Sequence, residues 1–186
     1  MRIFDNFPVL ETPHLILRKI SLSDAEDLFE YAKDKEITKY LSWEPHKSIE
    51  DSVRFIEFML IKYEREGYGD WGIEFKENRK LIGTCGYVWW DRKNSKAEIG
   101  YVLSRKYWKR GLMTEAVKEI IKFGFEKMFL NRIQARCIIE NIASERVMQK
   151  VGMKFEGILR EDIFIRGNYW DTKLYSILRK EFFITI

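Results

Sequence analysis

Cysteine is scarce in this 186-residue chain, which has only Cys85 and Cys137. Both stand in apolar, strand-like runs with no C-x-x-C spacing and no histidine at ligand distance. That pattern argues against a disulfide framework and against a metal site, and makes two buried thiols the expectation. No apolar run approaches the roughly 20 residues that cross a bilayer. The opening Met1 to Pro8 has no signal-peptide core, so a cytoplasmic protein with no membrane partner is expected. Repeats, low-complexity tracts and linkers are also lacking. With 46% hydrophobic residues, one domain over residues 1–186 is expected. The charge excess is slight, 33 Lys and Arg against 29 Asp and Glu. It suits a small anionic ligand and falls short of the basic balance of a nucleic-acid binder.

What is present alternates between two periodicities. Leu15 to Lys19 reads as a first strand, and Ser21 or Ser23 can cap a helix whose apolar face holds Ala25, Leu28, Phe29 and Ala32. Ser48 and Asp51 form a capping-box pair ahead of a second helix carrying Val53, Phe55, Ile56, Met59, Leu60 and Tyr63. Between them, Tyr40 to His46 is an aromatic, proline-containing connection. Strand-like runs at Asp70 to Phe75, Leu81 to Trp90 and Lys96 to Leu103, joined by short turns, predict an antiparallel meander. A helix from about Leu112 to Phe129 then leads to a strand at Arg132 to Ile139, which by crossover logic runs parallel to its predecessor. Alternation along that strand places Cys137 on the buried face with Ile133, Ala135 and Ile139. A helix from Ala143 to Val151 and a hairpin of Lys154 to Ile165 and Tyr169 to Leu178, turning at Arg166-Gly167-Asn168, close the chain.

The densest signal lies at Trp108-Lys109-Arg110-Gly111-Leu112-Met113-Thr114-Glu115, where a basic loop enters a long helix through a glycine. Unpaired amides at a helix start, the positive end of its dipole and two cations make a site for an anion such as a diphosphate. The glycine pattern matches neither G-x-G-x-x-G nor G-x-x-x-x-G-K-[ST], which sets aside the Rossmann and P-loop readings.

Ala97 to Leu103, Lys109 to Ala116, Asn141 to Ser144 and Val151 to Phe155, in this order and at these spacings, resemble the GNAT acetyltransferases, in particular their RimJ/RimL group. Leu10 to Arg18 resembles that group's first strand, so the likeness covers nearly the whole chain. The resemblance implies an α/β (α+β) fold, with a mixed, mostly antiparallel sheet of about seven strands, a central parallel βαβ unit and flanking helices. It implies acetyl-CoA as acetyl donor, with Tyr101, Val102 and Leu103 along the pantetheine. Lys109, Arg110, Gly111, Leu112, Met113 and Thr114 would hold the diphosphate, and Asn141 the cofactor arm. Trp108 and Met113 depart from the family's loop pattern R/Q-x-x-G-x-G/A.

Acetyl transfer from a thioester to an amine needs a neutral amine, a polarised carbonyl and help for the departing thiolate. A thiol of pKa about 8.5 needs only a weak donor. Met148 stands where many family members have a donor tyrosine, and Ser144 matches the RimJ/RimL variant, so Ser144 takes that role; its other reading is a helix-start residue. Glu98, a carboxylate in an apolar strand, is the base candidate on the premise that burial raises it, and a paired strand-end charge is the other reading. Glu161 and Asp162 are further candidates for the base. Neutralising an α-amine of pKa about 7.7–8.0 at pH 7 costs about 1.4 kcal/mol or less, against about 4.6 kcal/mol for a lysine-like amine. This favours a protein or peptide N-terminus, received near Trp43 to Pro45 and Arg166 to Trp170, with Glu44 and Asp171 as attracting charges. The competing readings are a small-amine acceptor (polyamine or antibiotic) and a non-catalytic CoA-binding module; nucleic acid is a distant fourth, and a homodimer is a further partner expectation.

Overall fold

A computed structural model describes residues 7–184, so the stretch in which the absence of a leader was read falls largely outside it. Eight strands form one sheet in the order β1-β2-β3-β4-β5-β6-β8-β7. β1 (Leu10–Glu11) and β2 (Leu15–Arg18) precede β3 (Asp70–Phe75), β4 (Leu81–Asp91) and β5 (Lys96–Leu103). β6 (Arg132–Ile138), β7 (Lys154–Ile165) and β8 (Asn168–Leu178) complete the sheet. All neighbours are antiparallel except β5 and β6. The eighth strand is the Leu10–Glu11 pairing with Ile16 and Leu17.

Local sequence explains most boundaries. Ser21 and Asp24 form a capping box around a short 3-10 turn, so α1 begins at Ala25 and runs to Ala32. Ser48 and Asp51 cap α3 (Ile49–Glu66), which stops at Gly67 in the left-handed conformation. α2 (Lys35–Thr38) and α6 (Arg179–Ile184) have no apolar period to announce them, being four and six residues long. α4 spans Leu112–Glu126 and α5 Ile142–Lys150. The terminal hairpin turns on Arg166 and Gly167, both at positive φ, as a two-residue turn requires.

The sheet is covered on both faces. α4 and α5 bury Leu15, Leu17, Trp71, Ile73, Tyr87 and Ile133 on one side. α1 and α3 bury Ile20, Leu28, Tyr31, Ile56 and Leu81 on the other. α4 sits close because Gly124 lacks a side chain: a Cβ there would lie 2.4 Å from the Tyr87 hydroxyl, which donates to Ile120 O at 2.7 Å. Cys85 and Cys137 are buried free thiols, and burial pushes Cys137 up to about 11.

Candidate active site

The parallel pairing of β5 with β6 covers only Lys96, Ala97 and Glu98 against Arg132, Ile133 and Gln134. Beyond it, β5 keeps β4 as far as Leu103, and β6 keeps β8 as far as Ile138. The strands therefore part, and Ile99 to Leu103 turn one backbone edge toward a gap. A bulge in β4 lies directly opposite: Tyr87 pairs with Ile99 and Trp89 with Glu98, leaving Val88 extra. Such a bulge bends its strand and adds twist, which separates β5 from β6 where the pairing ends. An open strand edge inside a covered sheet leaves amide and carbonyl groups for a ligand.

At one end of the gap the chain passes through Lys109, at φ 61, and Gly111, at φ 81, into α4. The first helical bond runs from Glu115 N to Gly111 O, so the amides of Leu112, Met113 and Thr114 precede the ladder. The Met113 side chain is buried in the core, which keeps its bulk away from those amides. The Trp108 indole donates to Leu103 O at 2.8 Å and ties the loop to the end of β5. Arg110 lies over Phe75 and Tyr107, 4.9 and 5.6 Å from the ring centroids, and Lys109 is exposed. The cradle thus combines free amides, two cations and a left-handed glycine.

Tyr101 and Ser144 bridge the gap. The Tyr101 hydroxyl lies 3.0 Å from both Ser144 O and Ser144 Oγ. Burial raises the phenol well above its ordinary value, against a smaller lowering by Ser144, so it stays protonated. Asn141 caps α5, its side-chain oxygen accepting from Ser144 N at 3.1 Å. Met148 is fully buried.

Glu98 is buried and partnered. Gln134 Nε2 donates to one oxygen at 2.9 Å and Arg136 Nε to the other at 2.8 Å. Arg136 also grips Asp162, as does Thr172 Oγ1. Burial raises Asp162, but Thr172 and Arg136 outweigh it and hold the carboxyl below its usual range. The premise of a lone carboxylate in an apolar strand therefore does not hold for Glu98, which shares the Arg136 guanidinium with Asp162 and matches the paired-charge reading. Glu161 sits exposed at a β7 irregularity, its amide donating to Asp171 Oδ1.

On the opposite face a cavity of ≈350 Å³ reaches the unpaired part of β5 at Gly100, Tyr101 and Val102. Its other walls include Tyr31, Trp43, His46, Phe55, Asp70 and Thr84. His46 Nδ1 lies 2.8 Å from Ser52 Oγ, and burial lowers the imidazole more than Asp51 raises it, so it is neutral at pH 7. Arg166 holds the outer loop, donating to Glu44 Oε1 and to the carbonyls of Lys39, Thr38 and Trp43 at 2.8–3.1 Å. Glu44 is thus spent on Arg166 and Asp171 on the Glu161 amide, and neither lines the cavity. Asp70 and Thr84 went unread because each is a single polar residue in an apolar strand run; the signal available was Asp70 opening its strand beside Gly69.

The chain matches the acetyltransferase (GNAT) domain family over residues 14–154. It belongs to that family, and the protein is an acetyl-CoA-dependent N-acetyltransferase. It is 36% identical over 173 residues to the uncharacterized N-acetyltransferase YoaA of Bacillus subtilis, covering 93% of this chain and 98% of that one. It is 30% identical over 173 residues to the putative ribosomal N-acetyltransferase YdaF of the same organism, covering 90% and 93%. The structure of the microcin C7 self-immunity acetyltransferase MccE, in complex with acetyl-CoA and AMP, superposes with a TM-score of 0.81 at 27% identity, covering 90% and 93%. Among the described residues no helix is long and apolar enough to cross a membrane, and no cluster of side chains could hold a metal ion.

Proposed function

We propose that residues 1–186 act as one unit that acetylates an α-amine at the N-terminus of a protein or peptide. One observation carries the reading: the pairing of β5 with β6 stops after Glu98 and Gln134, with the first amides of α4 beside the gap and a cavity reaching it from the opposite face. The donor supplies an activated thioester. In this reading, the free edge of Tyr101, Val102 and Leu103 holds its arm by strand-like pairing. Lys109, Arg110 and the amides of Gly111 to Thr114 hold the diphosphate. Asn141 spends its oxygen on the helix cap and keeps its NH2 for the arm. The Ser144 hydroxyl, held by Tyr101, donates to the departing sulfur.

Direct attack by the amine forms the C–N bond as the C–S bond breaks and requires no nucleophile from the protein; the nitrogen sheds one proton to solvent, and Ser144, having given its own to the sulfur, regains one from solvent. The low cost of neutralising an α-amine fits a site in which two of the base candidates, Glu98 and Asp162, are committed to Arg136. The putative ribosomal acetyltransferase YdaF among the relatives supports a protein acceptor. A small amine is the second reading, favoured by the clasp of Arg166 over the cavity. Mass spectrometry of peptides and polyamines incubated with the enzyme and labelled acetyl-CoA decides between them. Labelled peptide α-amine is expected; labelled polyamine beside unmodified peptide refutes the first reading.

A further inference from the structure

Asp70 pairs with Gly86, and Gly86 with Gly100, so the three residues form one row across β3, β4 and β5. Residues paired directly across antiparallel strands share a face. Two glycines therefore leave the sheet bare between the Asp70 side chain and the edge of the gap. The bareness is enforced at Gly86, where a Cβ would come within 2.4 Å of Asp70 Cα, while at Gly100 a Cβ would meet only the side chain of the exposed Val88. The row spans two strand spacings, about 10 Å.

The Asp70 carboxylate lines the aromatic cavity, and among the described residues it has no hydrogen bond or ion pair; the Tyr63 hydroxyl donates to its backbone carbonyl instead. Burial pushes the carboxyl up to about 6, against a smaller lowering by Lys62. The titratable groups around it are Lys62 and Tyr63 of α3, Tyr31 of α1, Cys85 of β4 and His46 of the connecting loop. Lys62 places its Nζ 5.5 Å from the centroid of the Tyr68 ring and makes no ion pair with Asp70. Asp70 is partly buried on the cavity wall, so its carboxylate, with no counter-ion of its own among the described residues, is open to a cation that enters the cavity.

We infer that Asp70 is the acceptor-selecting residue of this enzyme, receiving a second cationic group of the acceptor about 10 Å from the amine that is acetylated. The inference rests on the cavity being the acceptor side of the gap, as proposed above. A basic side chain near a peptide N-terminus and the far amine of a linear polyamine share this chemistry.

Matched acceptors test it. Thiol release is measured for a peptide beginning with Lys and its norleucine twin, and for spermidine and butylamine. At least one pair is expected to favour the cationic member about tenfold or more in kcat/KM, with the ratio falling to within about twofold in Asp70→Asn. The ratio should also collapse as pH falls through about 6, because taking twins cancels ionisation of the reacting amine. Unchanged CoA binding in the variant separates loss of this contact from loss of the fold. In a second measurement the Lys peptide and spermidine are titrated calorimetrically into CoA-saturated protein, and at least one should bind tenfold more tightly to wild type than to Asp70→Asn. Equal twins in the wild type, or a preference that survives Asp70→Asn, overturn the inference, as does the absence of any such binding difference. If peptides are inert while polyamines react, the N-terminal reading fails and the spermidine pair alone tests Asp70.

Discussion

The two faces of the sheet build their halves of the site by different means. On the α4 face the proposed donor side is mostly main chain: an unpaired strand edge, the amides before Glu115, and a glycine at φ 81. On the α1 and α3 face the proposed acceptor side is mostly side chain, with Asp70, the pair Trp43 and His46, and the clasp of Arg166 arriving from three separate segments. A main-chain site accepts many side chains at its positions, so it constrains the donor while leaving sequence free to vary. A side-chain site can change its acceptor by single substitutions. On the proposed assignment, donor recognition belongs to the fold, and acceptor recognition to this particular chain.

The largest expected effect sharpens the contrast by treating Asp70 as a charge kept at a cost to stability. Its carboxyl stands at about 6 in the folded chain against 3.8 ordinarily, through burial. An acid raised on folding binds its proton more tightly in the folded state, so its unfavourable contribution grows as pH climbs from about 4 to 6 and is complete above that. Asp70→Asn should therefore stabilise the protein by up to about 3 kcal/mol at pH 7.5, with no gain left at pH 3.5. Urea denaturation at the two pH values checks this, and equal stability of the two proteins at pH 7.5 would show that the charge is already compensated.

Next in size is a change on the main-chain side. Nothing lies within 4 Å of a Cβ built on Gly111, so a substitution meets backbone strain and not a clash. Gly111→Asp supplies a good helix cap, which offsets part of the left-handed strain, but sets a carboxylate where the diphosphate is proposed to sit. CoA affinity should fall about 100-fold, or about 2.7 kcal/mol, with little change in melting temperature. Gly111→Asn, without the charge, should lose far less. Calorimetry showing equal CoA affinity for Gly111→Asp and wild type would remove the diphosphate from this loop.

The same division governs what could be read from the sequence. β5 was legible to the residue, Lys96 to Leu103, and so was the capping box at Ser48, because strand alternation and helix caps are local signals. The parallel pairing of β5 with β6 followed from the helix between them. The end of α4 at Glu126, short of Phe129, is less sharp because helix ends depend on packing. Of the two readings of Glu98, a carboxylate raised by burial and a charge paired with a basic neighbour, the structure matches the second, but its partners Arg136 and Gln134 belong to a neighbouring strand, 38 and 36 residues on, and no local pattern names them. Arg166 was placed at a turn, but its carbonyl partners lie more than 120 residues away. No periodicity reports a contact of that kind.

A smaller effect probes the bridge between the faces. Ser144→Ala should lower kcat about 30-fold, about 2 kcal/mol, while leaving the KM for acetyl-CoA within about twofold. Tyr101→Phe removes the partner of that hydroxyl and should lower kcat less, about fivefold, because Ser144 keeps its own proton. Thiol release at the parent rate in Ser144→Ala would reduce the serine to its place in the first turn of α5.

Arg166→Met should have the smallest effect and the most one-sided one. The guanidinium donates to the carbonyls of Thr38, which also accepts from Leu41 N, and Lys39 at the end of α2, and fixes Trp43 O and Glu44 in the loop over the cavity. Methionine fills similar space without donors, so the loop loses its anchor while the hairpin keeps its turn. The KM for the acceptor should rise about tenfold, or about 1.4 kcal/mol, with CoA affinity and kcat little changed. Arg166→Lys should rescue little, because one ammonium cannot reproduce a planar fork that meets three carbonyls and a carboxylate at once. If CoA affinity fell as far as acceptor affinity, the two halves of the site would be coupled through the hairpin, and the division between main-chain donor side and side-chain acceptor side would fail.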